Sequence, residues 1–274
     1  MKKLRVLLFE TPEDPYMNLA IEEAIVRARS AEIIEDDTLR LWRNKNAVVI
    51  GYFQVAEEEV DLRKTSELRI PVVRRFTGGG AVYHDLGNLN YAITVKPKDK
   101  SPDIINDVYG SLLKGVLIAL EKIGVKPCIE NINDIVVGDK KISGTAASVR
   151  WNTLFLHGSL LVSTDLSILA SVLKVPLKKL LDKKIKDVKY RVTRLQDILG
   201  RGVTYKELIE SFIQGYSELL HAEPYIDMIS KEELEIASIL YRERYTKKEW
   251  NLGRQPLSVY KTIEEKISKI IGKR

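Results

Sequence analysis

Short alternating runs of apolar and polar residues fill the chain as far as position 163, and helical spacing takes over afterwards. Alternation sends successive side chains to opposite faces of a strand, whereas a spacing of three or four keeps them on one helix face. Residues 4–9 read as a strand. Asp14-Pro15 supplies an N-cap and a first-turn proline, predicting an amphipathic helix to about residue 29 with Leu19, Ala20, Ala24 and Ile25 on its apolar side. Residues 39–43 and 47–52 read as a strand pair turned by Asn44-Lys45-Asn46, and 55–68 as helix. Residues 71–75, 80–83 and 89–95 alternate as strands around a glycine loop. The clearest helix covers 104–123, opened by Ser101-Pro102-Asp103. Residues 125–129, 134–137, 141–149 and 154–162 are further strands; 165–182, 204–220 and 230–242 are further helices. Residues 243–257 read as an ordered surface strap, and the last 17 residues as a short basic helix. Strands followed by helices predict an α+β fold of mixed sheets packed with helices.

The chain has 274 residues, 45% of them hydrophobic, which suffices for one large core without staples. Its single cysteine, Cys128, excludes an intramolecular disulfide and points to a reducing compartment. The N-terminal segment turns acidic after a short apolar run and lacks a cleavage site, so no signal peptide is expected; nor does any stretch reach the ~20 apolar residues of a membrane span. A cytoplasmic protein is expected. A net charge of +6 favours anionic partners, but no basic stripe interleaved with aromatics suggests nucleic acid.

The candidate chemistry concentrates in three places. Arg74-Arg75 precedes Gly78-Gly79-Gly80-Ala81, and His84-Asp85 follows. Consecutive glycines are entropically unfavourable inside a domain unless the backbone must approach something. Bare amides beside guanidinium groups suit a phosphate or carboxylate; a tight turn is the plainer alternative. Next, Asn133-Asp134 and Lys141 flank a turn at Gly138-Asp139-Lys140, predicting a hairpin that brings the lysine toward the aspartate. Lysine suits an α-phosphate or acyl oxygen, and an Asn-Asp pair can hold hydrated Mg²⁺ beside a phosphate. Finally, His157-Gly158 interrupts an apolar strand. A glycine there marks a close neighbour, although a lone strand histidine is commonly structural. Cys128, the one possible thiol nucleophile, reads as a buried inert residue.

Taken in order, these motifs resemble the lipoate–protein ligase A family: Arg74-Arg75-x-x-Gly-Gly-Gly-Ala-Val-x-His84-Asp85-x-Gly87-Asn88, Asn133-Asp134, Lys141-Ile-Ser-Gly144-x-Ala146 and His157-Gly158-x-Leu-Leu. Agreeing pieces are Asn18-Leu19-Ala20-x-Glu22-Glu23, Val48-Val49-Ile50-Gly51, a loop motif from Lys189 to Leu195, and Glu249-Trp250-Asn251-x-Gly253. The resemblance covers about residues 15–256. Tyr52 and Phe76-Thr77 depart from the family pattern.

The resemblance implies a catalytic domain like that of class II biotin and lipoyl ligases, spanning 1–257, followed by a short helix at 258–274 without the accessory domain of single-chain ligases. It implies activation of lipoate with ATP and Mg²⁺ to lipoyl-AMP, then transfer to a lysine. Implied acceptors are the lipoyl domains of 2-oxoacid dehydrogenase E2 subunits and the glycine-cleavage H protein. A separate accessory-domain protein is expected as partner, and neither nucleic acid nor membrane is. Lys141 is the implied catalytic residue. Arg74, Arg75, Gly78, Gly79, Gly80, Ala81, His84, Asn88, Asn133, Asp134, Gly144, Ala146, His157 and Gly158 are the implied substrate and adenylate contacts. Asp134 is the candidate Mg²⁺ ligand, and strand residues such as Val82 and Leu156 are expected to wall the acyl tunnel. Two alternatives stand beside this: a thioester-forming octanoyl or lipoyl transferase using Cys128, and a non-catalytic basic binding module.

Overall fold

A computed structural model describes residues 2–97, 104–174, 192–253 and 257–272. An eight-stranded sheet runs in the order β11 (Glu223–Asp227), β1 (Lys3–Leu7), β2 (Asp37–Trp42), β6 (Asn88–Val95), β10 (Thr153–Leu161), β9 (Lys140–Arg150), β8 (Asp134–Val137) and β7 (Cys128–Glu130). A second sheet of three strands orders β4 (Val72–Arg74), β3 (Asn46–Ile50) and β5 (Val82–Asp85). Both sheets mix parallel and antiparallel pairs, so the α+β expectation holds.

One face of the large sheet is dry and apolar. Leu39, Leu41, Tyr91, Ile93 and Leu156 meet Leu112, Val116, Phe212 and Tyr216 of helices α4 (Ile104–Lys122) and α7 (Tyr205–Leu220). The opposite face receives α1 (Pro15–Ser30) and the small sheet, with Trp42, Val49 and Val73 packed on Leu19, Ala24 and Ile25. Asp14 caps α1 by accepting from the Met17 amide at 3.0 Å, and Pro15 stands in the first turn, as expected. Helix α8 (Lys231–Leu240), its π-helical continuation Tyr241–Tyr245, and α10 (Leu257–Ile271) pack outside α1 through Ile236, Tyr245, Ile263 and Ile267.

Several expectations are corrected. Strands β2 and β3 are not a hairpin: they belong to different sheets. The side chain of Asn44 is held by Asn18 at 2.8 Å, and the Lys45 amide donates to Pro12, so the connection turns away from β2. Residues 55–68 form two short helices, α2 (Ala56–Glu59) and α3 (Leu62–Glu67), separated at Val60, which bridges to Leu173. The strap at 243–257 is not superficial: Arg244, Tyr245, Trp250 and Asn251 are buried. The edge strand β11 lacked an alternating pattern, because its five residues are all exposed. The helix predicted over 165–182 ends early: α5 covers Leu166–Val172, and Leu173 turns extended to bridge to Val60. Residues 175–182 of that prediction, the Ser101-Pro102-Asp103 opening and the start of the motif at Lys189 lie outside the described residues.

Candidate active site

Strand register sets out the site face of the large sheet. Across β2, β6, β10 and β9 one row reads Arg40, Ala92, His157, Ala146; the next reads Trp42, Asn90, Ser159, Gly144, and Asp134 of β8 continues it. The glycine loop between β4 and β5 lies over this face. A side chain on Gly79 would stand 3.3 Å from the Ala146 Cβ and 2.8 Å from Nη2 of Arg75. Gly79 also has φ +87°, the left-handed region that an L side chain adopts only under strain.

Arg75 holds the loop from beneath. Its guanidinium donates to the Gly78 carbonyl at 2.6 Å, to the Gly80 carbonyl at 2.8 Å and to the Thr77 hydroxyl at 3.1 Å. In a trans peptide the C=O and N–H point in opposite directions. The Gly79 and Ala81 amides therefore point away from the arginine. Among the described residues, the amides of Gly78, Gly79, Gly80 and Ala81 donate to no protein acceptor. Open space lies where a Gly80 side chain would go. Burial lowers the Arg75 pKa to about 10, with Glu22 opposing, so the group stays cationic at neutral pH. A buried cation behind outward amides is an anion cradle.

The hairpin of β8 and β9 forms as predicted, and Lys141 Nζ lies 2.6 Å from Asp134 Oδ1. A bulge between Ile135 and Val136 shifts the register here. The lysine can lie across β9 only because residue 144 is glycine: a Cβ there would stand 2.7 Å from Nζ. From Gly144 to Ala146, where the loop touches, is about 7 Å along the strand. The loop and the lysine thus share one end of the sheet face.

His157 links sheet, helix and loop. Its Nδ1 is 2.9 Å from Glu22 Oε2, and its Nε2 is 2.7 Å from the Thr77 hydroxyl. Trp42 Nε1 donates to the other Glu22 oxygen at 3.0 Å. Glu22 and Thr77 thus hold the two ring nitrogens of His157 and fix the orientation of the ring between helix, sheet and loop. His84 packs edge-on against Trp42 at 5.9 Å and accepts from Asn44 at Nδ1. Burial, then Arg75 and His157, lower its pKa to about 3, so the His84 ring is neutral at neutral pH.

Other expected contacts are placed elsewhere. Arg74 donates to the carbonyls of Gly51, Gln54, Trp250 and Asn251, which locks the strap onto β3 rather than facing an anion. Asn88 accepts from the Asp85 amide and donates to Ser159, closing the turn between the two sheets. Asn133 holds the hairpin by exchanging bonds with Thr145. Gly158 makes room for Tyr91, whose hydroxyl would lie 2.3 Å from a side chain there. Leu156 packs against α4 and α7, on the face opposite His157, and cannot wall the site; Val82 packs into the cluster of α1 and the strap. Cys128 is exposed, not buried, because its three-residue strand forms the sheet edge. Register puts Val136 between it and Lys141. Trp42, Thr77 and Asn90 carry no motif signal of their own; Glu22 stands in the first-helix motif Asn18-Leu19-Ala20-x-Glu22-Glu23, but its pairing with His157 is not legible there.

No group of three or more His, Cys, Asp or Glu that could hold a metal occurs among the described residues. Asp134 offers a single carboxylate, which fits Mg²⁺ only as one ligand beside phosphate oxygens and water.

A phosphate-type cradle and a lysine on a mixed α+β scaffold define an acyl- or nucleotidyl-handling class, and sequence comparison specifies it. The model of the lipoyl protein ligase A/B catalytic domain matches residues 14–217, and the chain belongs to that family. It is 38% identical over 259 residues to the lipoate-protein ligase A subunit 1 of Thermoplasma acidophilum, covering 91% of this chain and 96% of the relative. A structure of a bipartite lipoate protein ligase with its E2 lipoyl domain from that organism superposes with TM-score 0.83 at 37% identity, covering 94% of this chain and 100% of that one. A lipoate protein ligase from the same organism with bound lipoic acid gives TM-score 0.79 at 34% identity, covering 92% and 99%. A lipoate-protein ligase A bound with ATP gives TM-score 0.81 at 36% identity, covering 93% and 100%. Among the described residues no helix is long and apolar enough to cross a membrane.

Proposed function

We propose that this chain is the catalytic subunit of a two-part lipoate–protein ligase. Lipoate and ATP combine as lipoyl-AMP with release of pyrophosphate. A lysine amine of an acceptor lipoyl domain then attacks the acyl carbon, and AMP leaves. The observation that carries this reading is the seating of the glycine loop on Ala146, close to Lys141 held across Gly144. The first step brings a carboxylate against an α-phosphate, so like charges must be offset. The Gly79 and Ala81 amides, with Arg75 behind them, serve one side, and Lys141 the other. Asp134 keeps the lysine extended until an anion takes it over. Mg²⁺ beside Asp134 would offset phosphate charge. In the second step Lys141 stabilises the oxyanion and the departing phosphate, while the fixed loop aligns the anhydride.

The bipartite system of the relatives supports placing an accessory protein beside this subunit and an E2 lipoyl domain as acceptor. The test is lipoate-dependent ATP–pyrophosphate exchange, measured on the chain alone and with the accessory subunit. Strong exchange is expected only with both. Robust exchange by the chain alone would overturn the dependence, and no exchange in either case would overturn the ligase reading.

A further inference from the structure

The side chain of Asn90 is 2% exposed, yet neither its Oδ1 nor its Nδ2 has a partner among the described residues. It belongs to the site face: its chain neighbours Leu89 and Tyr91 enter the core under α4 and α7, while Ala92, two residues on, packs with Phe76 and Phe155. Its cross-strand neighbours are engaged elsewhere. Trp42 Nε1 donates to Glu22, and the Ser159 hydroxyl accepts from Asn88. A buried amide left without partners is destabilising, so its retention calls for something to bind.

Asn90 shares the register row of Ser159 and Gly144, the residue over which Lys141 lies. It is two strands from Gly144, or ~10 Å. That is the order of an extended eight-carbon acyl chain running across the sheet from a carbonyl at Lys141. Trp42 closes the row beyond Asn90, with His84 edge-on to it. The far end of the acyl group, where lipoate carries its dithiolane ring and octanoate only a methyl end, therefore falls at Asn90.

Resting on the ligase reading above, we propose that Asn90 is the specificity-determining residue for that end of the chain. Its Nδ2–H donates to a ring sulfur, a weak but polarisable acceptor. An octanoyl chain of similar bulk offers no acceptor and leaves the amide unpaired. Sites built around a buried polar group discriminate against analogues that cannot satisfy it. Selection comes from the alkyl analogue's failure as much as from the strength of the sulfur contact.

The experiment compares non-hydrolysable lipoyl and octanoyl adenylate mimics (acyl sulfamates of adenosine) by calorimetry on the wild-type chain, Asn90→Leu and Asn90→Ala. The wild type is expected to prefer the lipoyl mimic. Asn90→Leu should shift the ratio toward octanoyl by about fivefold, with an unchanged or higher melting temperature. The ratio within each variant cancels losses of folded protein, and Asn90→Ala should shift it in the same direction. Lipoyl preference that persists undiminished in both variants overturns the assignment while leaving the ligase reading intact. Failure of the wild type to bind either mimic overturns both.

Discussion

The hydroxyl of Thr77 stands 2.7 Å from Nε2 of His157, and this bond ties the glycine loop to the large sheet. Through it the loop is coupled to Glu22 of α1 on one side and to Arg75 on the other. The family chemistry needs a cradle that is in place before the substrate arrives, and this network holds it rigid. Thr77→Val keeps the shape but leaves Nε2 of His157 without its partner and removes an acceptor from Arg75. Stability should fall by about 1–3 kcal/mol, measured by chemical denaturation, and affinity for lipoyl-AMP should fall with it. Unchanged affinity would detach the network from the site.

Gly144→Ala is expected to spare the fold and damage the chemistry. The new methyl would meet Nζ of Lys141 at 2.7 Å and its Cε at 2.9 Å, the tip of a flexible side chain that can move aside. The lysine then leaves its place by roughly an ångström or more, and single-turnover transfer should drop about 10- to 100-fold. The melting temperature should move little. Full transfer activity would mean that the lysine need not lie across β9.

Arg74 and Arg75 are adjacent in sequence and do different work. Arg74 donates to the strap and to the exit of β3, whereas Arg75 supports the loop. Arg74→Lys cannot reproduce the fork of contacts and should lower stability by about 2–3 kcal/mol. The folded fraction should bind lipoyl-AMP nearly as the wild type does. A selective loss of affinity without loss of stability would return Arg74 to the binding machinery.

His84 makes folding sensitive to acid. Its pKa is lowered from 6.5 to about 3 by burial, then by Arg75 and His157. The unfolded chain binds one more proton between those values, so the stability due to the neutral ring is complete above pH 6.5 and is lost as the pH falls toward 3. The slope is about 1.4 kcal/mol per pH unit. His84→Gln should flatten the curve by one proton in that window relative to wild type, as read from urea denaturation across pH. Superimposable slopes would contradict a buried neutral imidazole.

The local grammar of the chain was legible where one element carries its own signal. Asp14-Pro15 caps α1, the turn before Lys141 joins β8 to β9, and the glycine triplet approaches a neighbouring strand. What was hidden depends on partners distant in sequence. The runs on either side of Asn44 look like a hairpin, but the bonds of Asn44 to Asn18 and His84 divert the chain into a second sheet. Arg74 and Asn88 have the residue types of ligand contacts, and only the packed strap and the turn between the sheets reveal acceptors that fully occupy them. Asn90 gives no signal in sequence, since its meaning lies in the absence of a partner.

The most direct test of the account is single-turnover transfer from preformed lipoyl-AMP to an acceptor lipoyl domain, with binding of lipoyl-AMP measured in parallel on the wild type and on Lys141→Ala. The glycine cradle is intact in the variant, so lipoyl-AMP should still bind, while transfer should fall by about 100-fold or more. Transfer by Lys141→Ala at the wild-type rate would contradict the assignment of this lysine and of the site built around it.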